Sequence, residues 1–338
     1  MINHAPLAIL MPFYNAQETL AETLDSILAQ TYRDFVVIAV DDGSSDGSAE
    51  VVRHYMQRDR RIELHQPGRQ GVVGAMNYAL AHCTAPLCAR MDADDIMAPD
   101  RLERQWHYLQ ENPHVALVGS RVRLFPEAII QPGFAEYIRW QNGCLSPRQI
   151  ADNIYVELPI AHPSVMFRRD TILAVGGYRD GDFPEDYELL LRLHQHGRPM
   201  AKLPEVLLHW RDSDSRLTRT DPRYSRDAFD RIRASYLARD PRLHQGRPIA
   251  YWGAGRSSRR RSAHLIAHGH QPHVWVDIDP KKVGNTVAGR RVVAPEWLER
   301  EEKPFVLSYV NNHGAQERIA GALEAMGYRS GVDYLLVG

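Results

Sequence analysis

Residues 35–48 read FVVIAVDDGSSDGS: six apolar residues run unbroken into two aspartates and a turn rich in glycine and serine. A continuous apolar run of this length, closed by turn formers, fits a strand buried on both faces. Upstream, LAILM (7–11) has the same character, and Leu20, Leu24, Ile27 and Leu28 recur at helical spacing, which predicts an amphipathic helix over 17–30. Downstream, the pattern predicts a helix at 47–57, a strand at Ile62–Leu64 and a helix marked by Val72, Met76, Ala79 and Leu80. PLCARM (86–91) follows as a strand, APDRLERQWHYLQEN (98–112) as a helix with Pro99 in its first turn, and VALVG (115–119) as a strand. Strands and helices in strict alternation predict a parallel sheet covered by helices on both faces.

The pattern then degrades: Pro126, Pro132, Gly133, Gly143, Pro147, Pro159 and Pro163 predict loops and short pieces over 125–165. SVMFRR (164–169) reads as a strand again, and Glu188–Leu193 belong to a helix that ends at Gly197. Residues 211–261 hold 14 Arg, no Lys and 6 acidic residues, a local excess of 14 − 6 = +8, read either as a solvated helical linker or as a contact for an anionic partner. Beyond it, PIAYW (248–252), PHVWVD (272–277) and FVLSYV (305–310) predict strands of a second α/β unit, with helices to about Gly269 and over Gln316–Met326. The expected division is a domain at 1–220, a helical arginine-rich linker at 221–246 and a smaller domain at 247–338.

Composition narrows the function classes. The chain has 338 residues, 44% hydrophobic and 25% charged, which excludes disordered and fibrous classes. Its 41 Lys+Arg against 42 Asp+Glu leave a net charge of −1, with no global field favouring nucleic acid. Cys83, Cys88 and Cys144 lack metal-ligand spacing and are an odd number, so a disulfide framework is not expected. No basic, apolar leader opens the sequence and no apolar run spans a bilayer, so a cytoplasmic protein is expected.

Two acidic clusters end predicted strands. RMDADD (90–95) places Asp92, Asp94 and Asp95 where a parallel sheet binds ligands, beyond its C-terminal strand ends. Carboxylates so crowded need neutralising, and a hard divalent cation, Mg²⁺ or Mn²⁺, does this while leaving positions for phosphate oxygens. Three acids exceed what capping the next helix requires. Asp41 and Asp42 end the strand quoted above. They suit either hydrogen bonding to a base and ribose, with Gly43 and Gly47 admitting the ligand, or a turn that caps a helix.

Five segments in order, MPFYNAQETLAETLDSILAQTYRDFVVIAVDDGSSD, GVVGAMNYAL, RMDADDIMAPDRLERQ, HPSVMFRR and EDYELLLRL, resemble family 2 glycosyltransferases of the GT-A fold over about residues 5–215. The resemblance implies a GT-A domain with a mixed, mostly parallel sheet. It implies a nucleotide-diphospho-sugar donor, UDP-sugar favoured, held by Pro12, Tyr14, Asn15, Asp41 and Asp42. It makes Asp92-Ala93-Asp94 the DxD motif, with Asp94 and Asp92 as candidate ligands of Mn²⁺ or Mg²⁺ and His209 as a further candidate beside a packed strand end. It also implies inversion at the anomeric carbon with Asp186, next to Glu185, as general base. The acids at this helix start also suit the helix dipole. His162 is a candidate on the acceptor side or a structural loop histidine, and Arg69 with Gly71 precedes the third helix within reach of the nucleotide or simply exposed. The implied acceptor is a saccharide or lipid-linked saccharide in bacterial surface-polysaccharide synthesis, with peripheral membrane contact through the arginines.

Near the C-terminus, Gly253-x-Gly255-x-x-Ser258 follows a strand and opens a helix, and Asp277 ends the next strand. This resembles a Rossmann dinucleotide fingerprint, with Ser258 departing from its third glycine. No hydride-transfer set accompanies it, so binding or structure is expected there. An NAD(P)-dependent oxidoreductase and a non-catalytic sugar-nucleotide-binding protein are the rival classes.

Overall fold

The computed structural model describes residues 5–213, 216–300, 302–311 and 314–338, so positions 214 and 215 of the arginine-rich stretch lie outside the described residues. Two units divide the chain. The first comprises the described residues of Met1–Pro147, Pro159–Gly181 and Glu185–Thr220, and the second Arg148–Leu158, Asp182–Pro184 and Asp221–Gly338.

The first unit opens with β1 (Leu7–Phe13), α1 (Leu20–Leu28), β2 (Phe35–Asp41), α2 (Ser48–Arg58), β3 (Ile62–His65), α3 (Gly71–His82) and β4 (Leu87–Arg90), following the alternation in the sequence. β3, β2, β1 and β4 lie side by side in parallel. Every residue of β2 is buried, as its unbroken apolar run requires of a strand covered on both faces. Each fully buried Val, Ile or Phe there contributes about 1.5–3 kcal/mol of transfer free energy.

Beyond β4 the sheet departs from a purely parallel array. After β5 (Ile96–Met97) and α4 (Arg101–Glu111) come β6 (Leu117–Phe125), β7 (Met166–Arg168) and β8 (Met200–Arg211), giving the order β3-β2-β1-β4-β7-β6-β8-β5. β7 is antiparallel to both β4 and β6, and β5 is antiparallel to β8. The stretch expected as loops instead holds α5 (Pro132–Gly143), with Pro132 in its first turn, and starts α6 (Pro147–Asn153). A proline in the first turn costs a helix no hydrogen bond, so these prolines start helices rather than break them. α7 (Arg169–Ala174), α8 (Glu185–Gln195) and α9 (Leu217–Thr220) complete the unit.

In the second unit, β9 (Ile249–Trp252), α11 (Arg256–Ala267), β10 (Val274–Val276), β11 (Thr286–Val287), β12 (Arg290–Val293), β13 (Phe305–Ser308), α12 (Ala315–Ala325) and β14 (Tyr334–Leu336) follow α10 (Arg226–Leu237). The strand order is β11-β12-β10-β9-β13-β14, parallel except for β11. The segment expected as a linker groups with this unit. Asp230 of α10 is buried and bonds Arg233 (2.6 Å) and Arg261 of α11 (3.2 Å). The inserted segment 148–158 is tied in the same way: Tyr155 Oη donates to Asp240 (3.0 Å) and Val156 O accepts from Arg233 (3.1 Å).

Candidate active site

The C-terminal ends of β1, β2 and β4 carry the expected donor-side residues. Asp42 is buried. Its Oδ1 accepts from the backbone N–H of Gln70 (2.6 Å) and Gly71 (3.0 Å), and Oδ2 pairs with Arg69 Nη1 at 3.2 Å. Arg69 also lies 3.4 Å over the ring of Tyr14, so it bridges the ends of β1 and β2. Asp41 accepts from Ser44 N–H (2.8 Å) and Gln66 Nε2 (3.0 Å). Pro12 pairs with Val40 across the strands. Asn15 sits at φ 49°, donating its N–H to Ser44 Oγ and accepting from Ser45 N–H on Oδ1. Gly43 (φ +78°) and Gly47, expected to admit a ligand, are pressed by the protein itself: a Cβ would come within 3.2 Å of Arg69 N and 2.8 Å of Gln17 respectively.

The acidic turn after β4 is held from several sides. Thr19 Oγ1 donates to Ala93 O (2.9 Å), Thr23 Oγ1 to Asp95 O (2.9 Å) and Arg211 Nε to Asp94 O (2.6 Å). Asp92, Asp94 and Asp95 bring one carboxylate oxygen each within 4.8 Å of one another. Burial first, and then Asp92, push the Asp94 carboxyl up to about 6; burial and its two acidic neighbours push Asp95 well above the carboxylate range. Asp95 Oδ1 accepts from Arg211 N–H (2.8 Å), while its buried Oδ2 has no hydrogen-bond partner. Three crowded oxygen donors, one of them unsatisfied, suit a hard divalent cation.

The residues expected on the acceptor side and as the base follow from β4, the His162 loop and α8. Arg90, the last residue of β4, is buried and pairs through Nη1 with Asp92 Oδ1. Burial opposes its charge, but Asp92, Tyr178, Glu185 and Asp186 together hold its pKa above the ordinary value. Glu185 and Asp186 open α8. Asp186 accepts from Tyr187 N–H (2.7 Å), and burial, then Glu185, push its carboxyl up to about 7, against the pull of Arg90. His162 is buried, with Nε2 2.9 Å from Tyr178 Oη; burial and Arg90 drive its imidazole well below its usual range, so it is neutral. Tyr178 is fixed in turn by Asn77, which bonds both its backbone N–H and its C=O at 2.9 Å.

The family model for glycosyl transferase family 2 matches residues 8–172. The O-antigen biosynthesis glycosyltransferase WbnJ of Escherichia coli is 32% identical over 208 residues, 61% of this chain and 79% of WbnJ. The chain belongs to glycosyl transferase family 2. Two solved structures share the GT-A fold of this family 2 enzyme. One is S. aureus TarS (TM-score 0.52, 16% identity, 69% of this chain), of which the chain spans 43%. The other is mannosyltransferase PcManGT from Pyrobaculum calidifontis in complex with GDP-Man and Mn²⁺ (TM-score 0.50, 20% identity, 79% of this chain and 69% of that one).

Within this glycosyltransferase, the described His, Cys, Asp and Glu side chains that gather as possible metal ligands are Asp92, Asp94 and Asp95, and His209 is not among them. His209 pairs with Ile96 across β5 and β8, and its ring meets Phe125 edge-on at 6.4 Å, a packed strand position. Arg90, Tyr178 and Arg211 were missed from the sequence, although an arginine closing a buried apolar strand is itself a signal that something must pair with it. In the second unit, Gly253 (φ +116°) leaves no space for a Cβ, which would lie 2.6 Å from Ser258 Oγ, and Ser258 donates to Tyr309 O (3.0 Å). The serine in place of the third glycine therefore fastens helix to sheet. Asp277 accepts from Ala254 N–H (3.0 Å), Asp279 N–H (3.0 Å) and Lys282 Nζ (3.1 Å), so both its oxygens are engaged by the protein.

Proposed function

We propose that this family 2 glycosyltransferase moves a sugar from a nucleotide-diphospho sugar to a saccharide or lipid-linked saccharide hydroxyl, with inversion, in cytoplasmic assembly of a bacterial surface polysaccharide. The observation that carries the reading is the gathering of Asp92, Asp94 and Asp95 after β4, one carboxylate oxygen each within 4.8 Å of the others, with Asp186, whose carboxyl burial and then Glu185 push up to about 7, at the start of α8. A group titrating close to working pH is suited to take a proton as a bond forms. The acceptor oxygen then bonds to the anomeric carbon, the bond from that carbon to the diphosphate oxygen breaks with its electron pair, and Asp186 receives the hydroxyl proton. Glu185, beside it, keeps Asp186 basic. The neutral His162 and Tyr178 line the same neighbourhood and offer polar contacts to the acceptor. Asp41, Asp42, Tyr14, Asn15 and Arg69 hold the nucleoside. Asp92 and Asp94 would hold Mn²⁺ or Mg²⁺, which when bound offsets the charge of the departing diphosphate.

A UDP-sugar remains the favoured donor. TarS in complex with UDP-GlcNAc (TM-score 0.52) and PcManGT with GDP-Man and Mn²⁺ share the fold, and WbnJ, a relative in O-antigen biosynthesis, supports the polysaccharide setting. No described helix is long and apolar enough to cross a membrane. Membrane contact, if the acceptor is lipid-linked, would rest on the exposed Arg256, Arg259 and Arg260, because other arginines of that stretch, among them Arg223, Arg233 and Arg242, are paired to Asp221, Asp230 and Asp240. A thermal-shift panel of UDP-, GDP-, dTDP- and CMP-sugars with and without Mn²⁺ tests the donor site, since a ligand of the folded state raises its melting temperature. One donor class should raise it only with the metal; no response to any overturns the proposal.

A further inference from the structure

We infer that Cys83 and Cys88 form an oxidation site, a buried thiol pair that closes into an intramolecular disulfide and fastens the end of α3 to β4. Neither donor nor acceptor enters its test, so this reading and the proposed transfer reaction fail separately.

The two residues flank a tight connection. Cys83 caps the C-terminal end of α3, and Cys88 is the second residue of β4. Both thiols are buried, and their sulfurs lie 3.4 Å apart. A disulfide needs about 2.0 Å, so about 1.4 Å of approach separates the reduced pair from the bond. Cys88 is fixed from both sides, in register with Ala8 of β1 and Phe167 of β7. Cys83 lies beyond the last turn of its helix, and the connection after it exposes Thr84 and Pro86 to solvent. The helix end is therefore the part that yields.

The surroundings favour Cys83 as the thiol that reacts first. A helix C-terminus disfavours a thiolate. Arg169 offsets this: its Nε donates to Leu80 O in the last turn (3.4 Å) and its N–H to Pro86 O (3.0 Å), which sets the guanidinium beside the connection. The hydrogen bond from Cys88 and then the Arg169 charge hold the Cys83 thiol below its ordinary range, against burial and Glu63. The bond to Cys83 and burial push Cys88 well above it.

Hydrogen peroxide, small enough to enter beside Thr84, is the oxidant. The Cys83 thiolate attacks one peroxide oxygen, the O–O bond breaks and hydroxide leaves, giving a sulfenic acid on Cys83. The Cys88 sulfur then attacks the Cys83 sulfur, and the S–O bond breaks with its electron pair. That oxygen leaves as water with the Cys88 proton. In sum, two thiols lose two electrons and two protons, and one peroxide becomes two waters. A dithiol reductant reverses the closure by exchange. Disulfides in reducing compartments are transient and redox-sensing, which suits a pair this close to bonding. Closure acts on the helix whose Gly71 N–H serves Asp42 and whose Asn77 holds Tyr178.

The test uses the full chain as wild type, C83S, C88S and C144S. Each folded protein is treated with hydrogen peroxide and quenched with catalase. Remaining thiols are then alkylated in urea, and intact mass and peptide maps are recorded. Wild type should lose the mass of two hydrogens and two of its three alkylatable thiols, with Cys83 and Cys88 linked, and a dithiol should restore all three. C144S should close as wild type does. C83S and C88S should not close, and C88S should carry the sulfenic acid on Cys83, trapped as a dimedone adduct. Amide hydrogen exchange over residues 81–86 should slow by at least about threefold on closure and recover on reduction. Wild type that keeps three thiols, pairs through Cys144 or passes to a sulfinic acid overturns the oxidation site. Closure with unchanged exchange overturns the fastening. The wild-type map and exchange decide both even if a serine variant does not fold.

Discussion

Asp186→Asn exchanges a carboxylate for an amide of the same shape and retains an oxygen to accept from the Tyr187 N–H, 2.7 Å away. In the folded protein Asp186 titrates at about 7 against an ordinary 3.8, raised by burial and then by Glu185. A raised carboxyl pKa means that the folded state binds this proton more tightly than the unfolded chain. The stability it contributes is therefore complete below about pH 4, declines as pH rises towards 7 and is absent above. A lift of about 3 units at 1.36 kcal/mol each puts a ceiling of about 4 kcal/mol on the cost of the ionised group at pH 8. Local relaxation and solvent access reduce this to about 2 kcal/mol. D186N should thus melt roughly 4–8 °C above wild type at pH 8, with the difference gone near pH 4. Turnover should fall by about 10²–10⁴ because the proton acceptor is lost. Thermal melts at the two pH values, paired with donor-dependent product release, read both effects from one preparation. A D186N protein that melts below wild type at pH 8, or that turns over within about tenfold of it, would refute the reasoning.

Further expectations concern the other clusters. D94N should abolish the rise in melting temperature that Mn²⁺ gives wild type, a rise worth about 2.7 kcal/mol at a metal concentration a hundredfold above Kd; titration calorimetry measures the same loss directly. H209A should retain that metal response, since its ring packs on Phe125 rather than joining the three aspartates. D42A strands the N–H groups of Gln70 and Gly71 and the Arg69 guanidinium; nucleotide affinity by calorimetry should weaken by at least about tenfold, and stability should drop by about 1–3 kcal/mol. G253A forces a Cβ to within 2.6 Å of Ser258 Oγ at φ +116°, and urea unfolding should show a loss of about 2–4 kcal/mol.

The sequence pattern was most legible where burial is two-sided. β1, β2 and β4 announce themselves as unbroken apolar runs, and the acids that follow them mark the sheet's C-terminal edge. Of β8 only the packed end beside His209 is legible, because Lys202, Pro204 and Glu205 interrupt the rest. The reason is local: Lys202 is buried, and its ammonium is satisfied by Gln141 O and Pro159 O (2.7 Å), while the pairing register with β6 slips in this region. Neither compensation is visible from residue types alone. The same holds for Arg90 and Tyr178. Cys83 and Cys88 are both buried, and their sulfurs lie 3.4 Å apart, a proximity that a five-residue separation does not specify.

The interleaving of the two units constrains how such an enzyme can be made and remodelled. Residues 148–158 belong with Asp221–Gly338, and the N–H of Gly338 donates to Tyr155 O at 2.8 Å. During synthesis on the ribosome, this early segment must wait for some eighty later residues before its bonds to Arg233 and Asp240 can close, and for nearly two hundred before the one to Gly338 can. A genetic cut after Thr220 would not release a self-sufficient cassette, and recombination that exchanges the C-terminal portion must bring along a matching insert. Evolution of the two halves is thereby yoked.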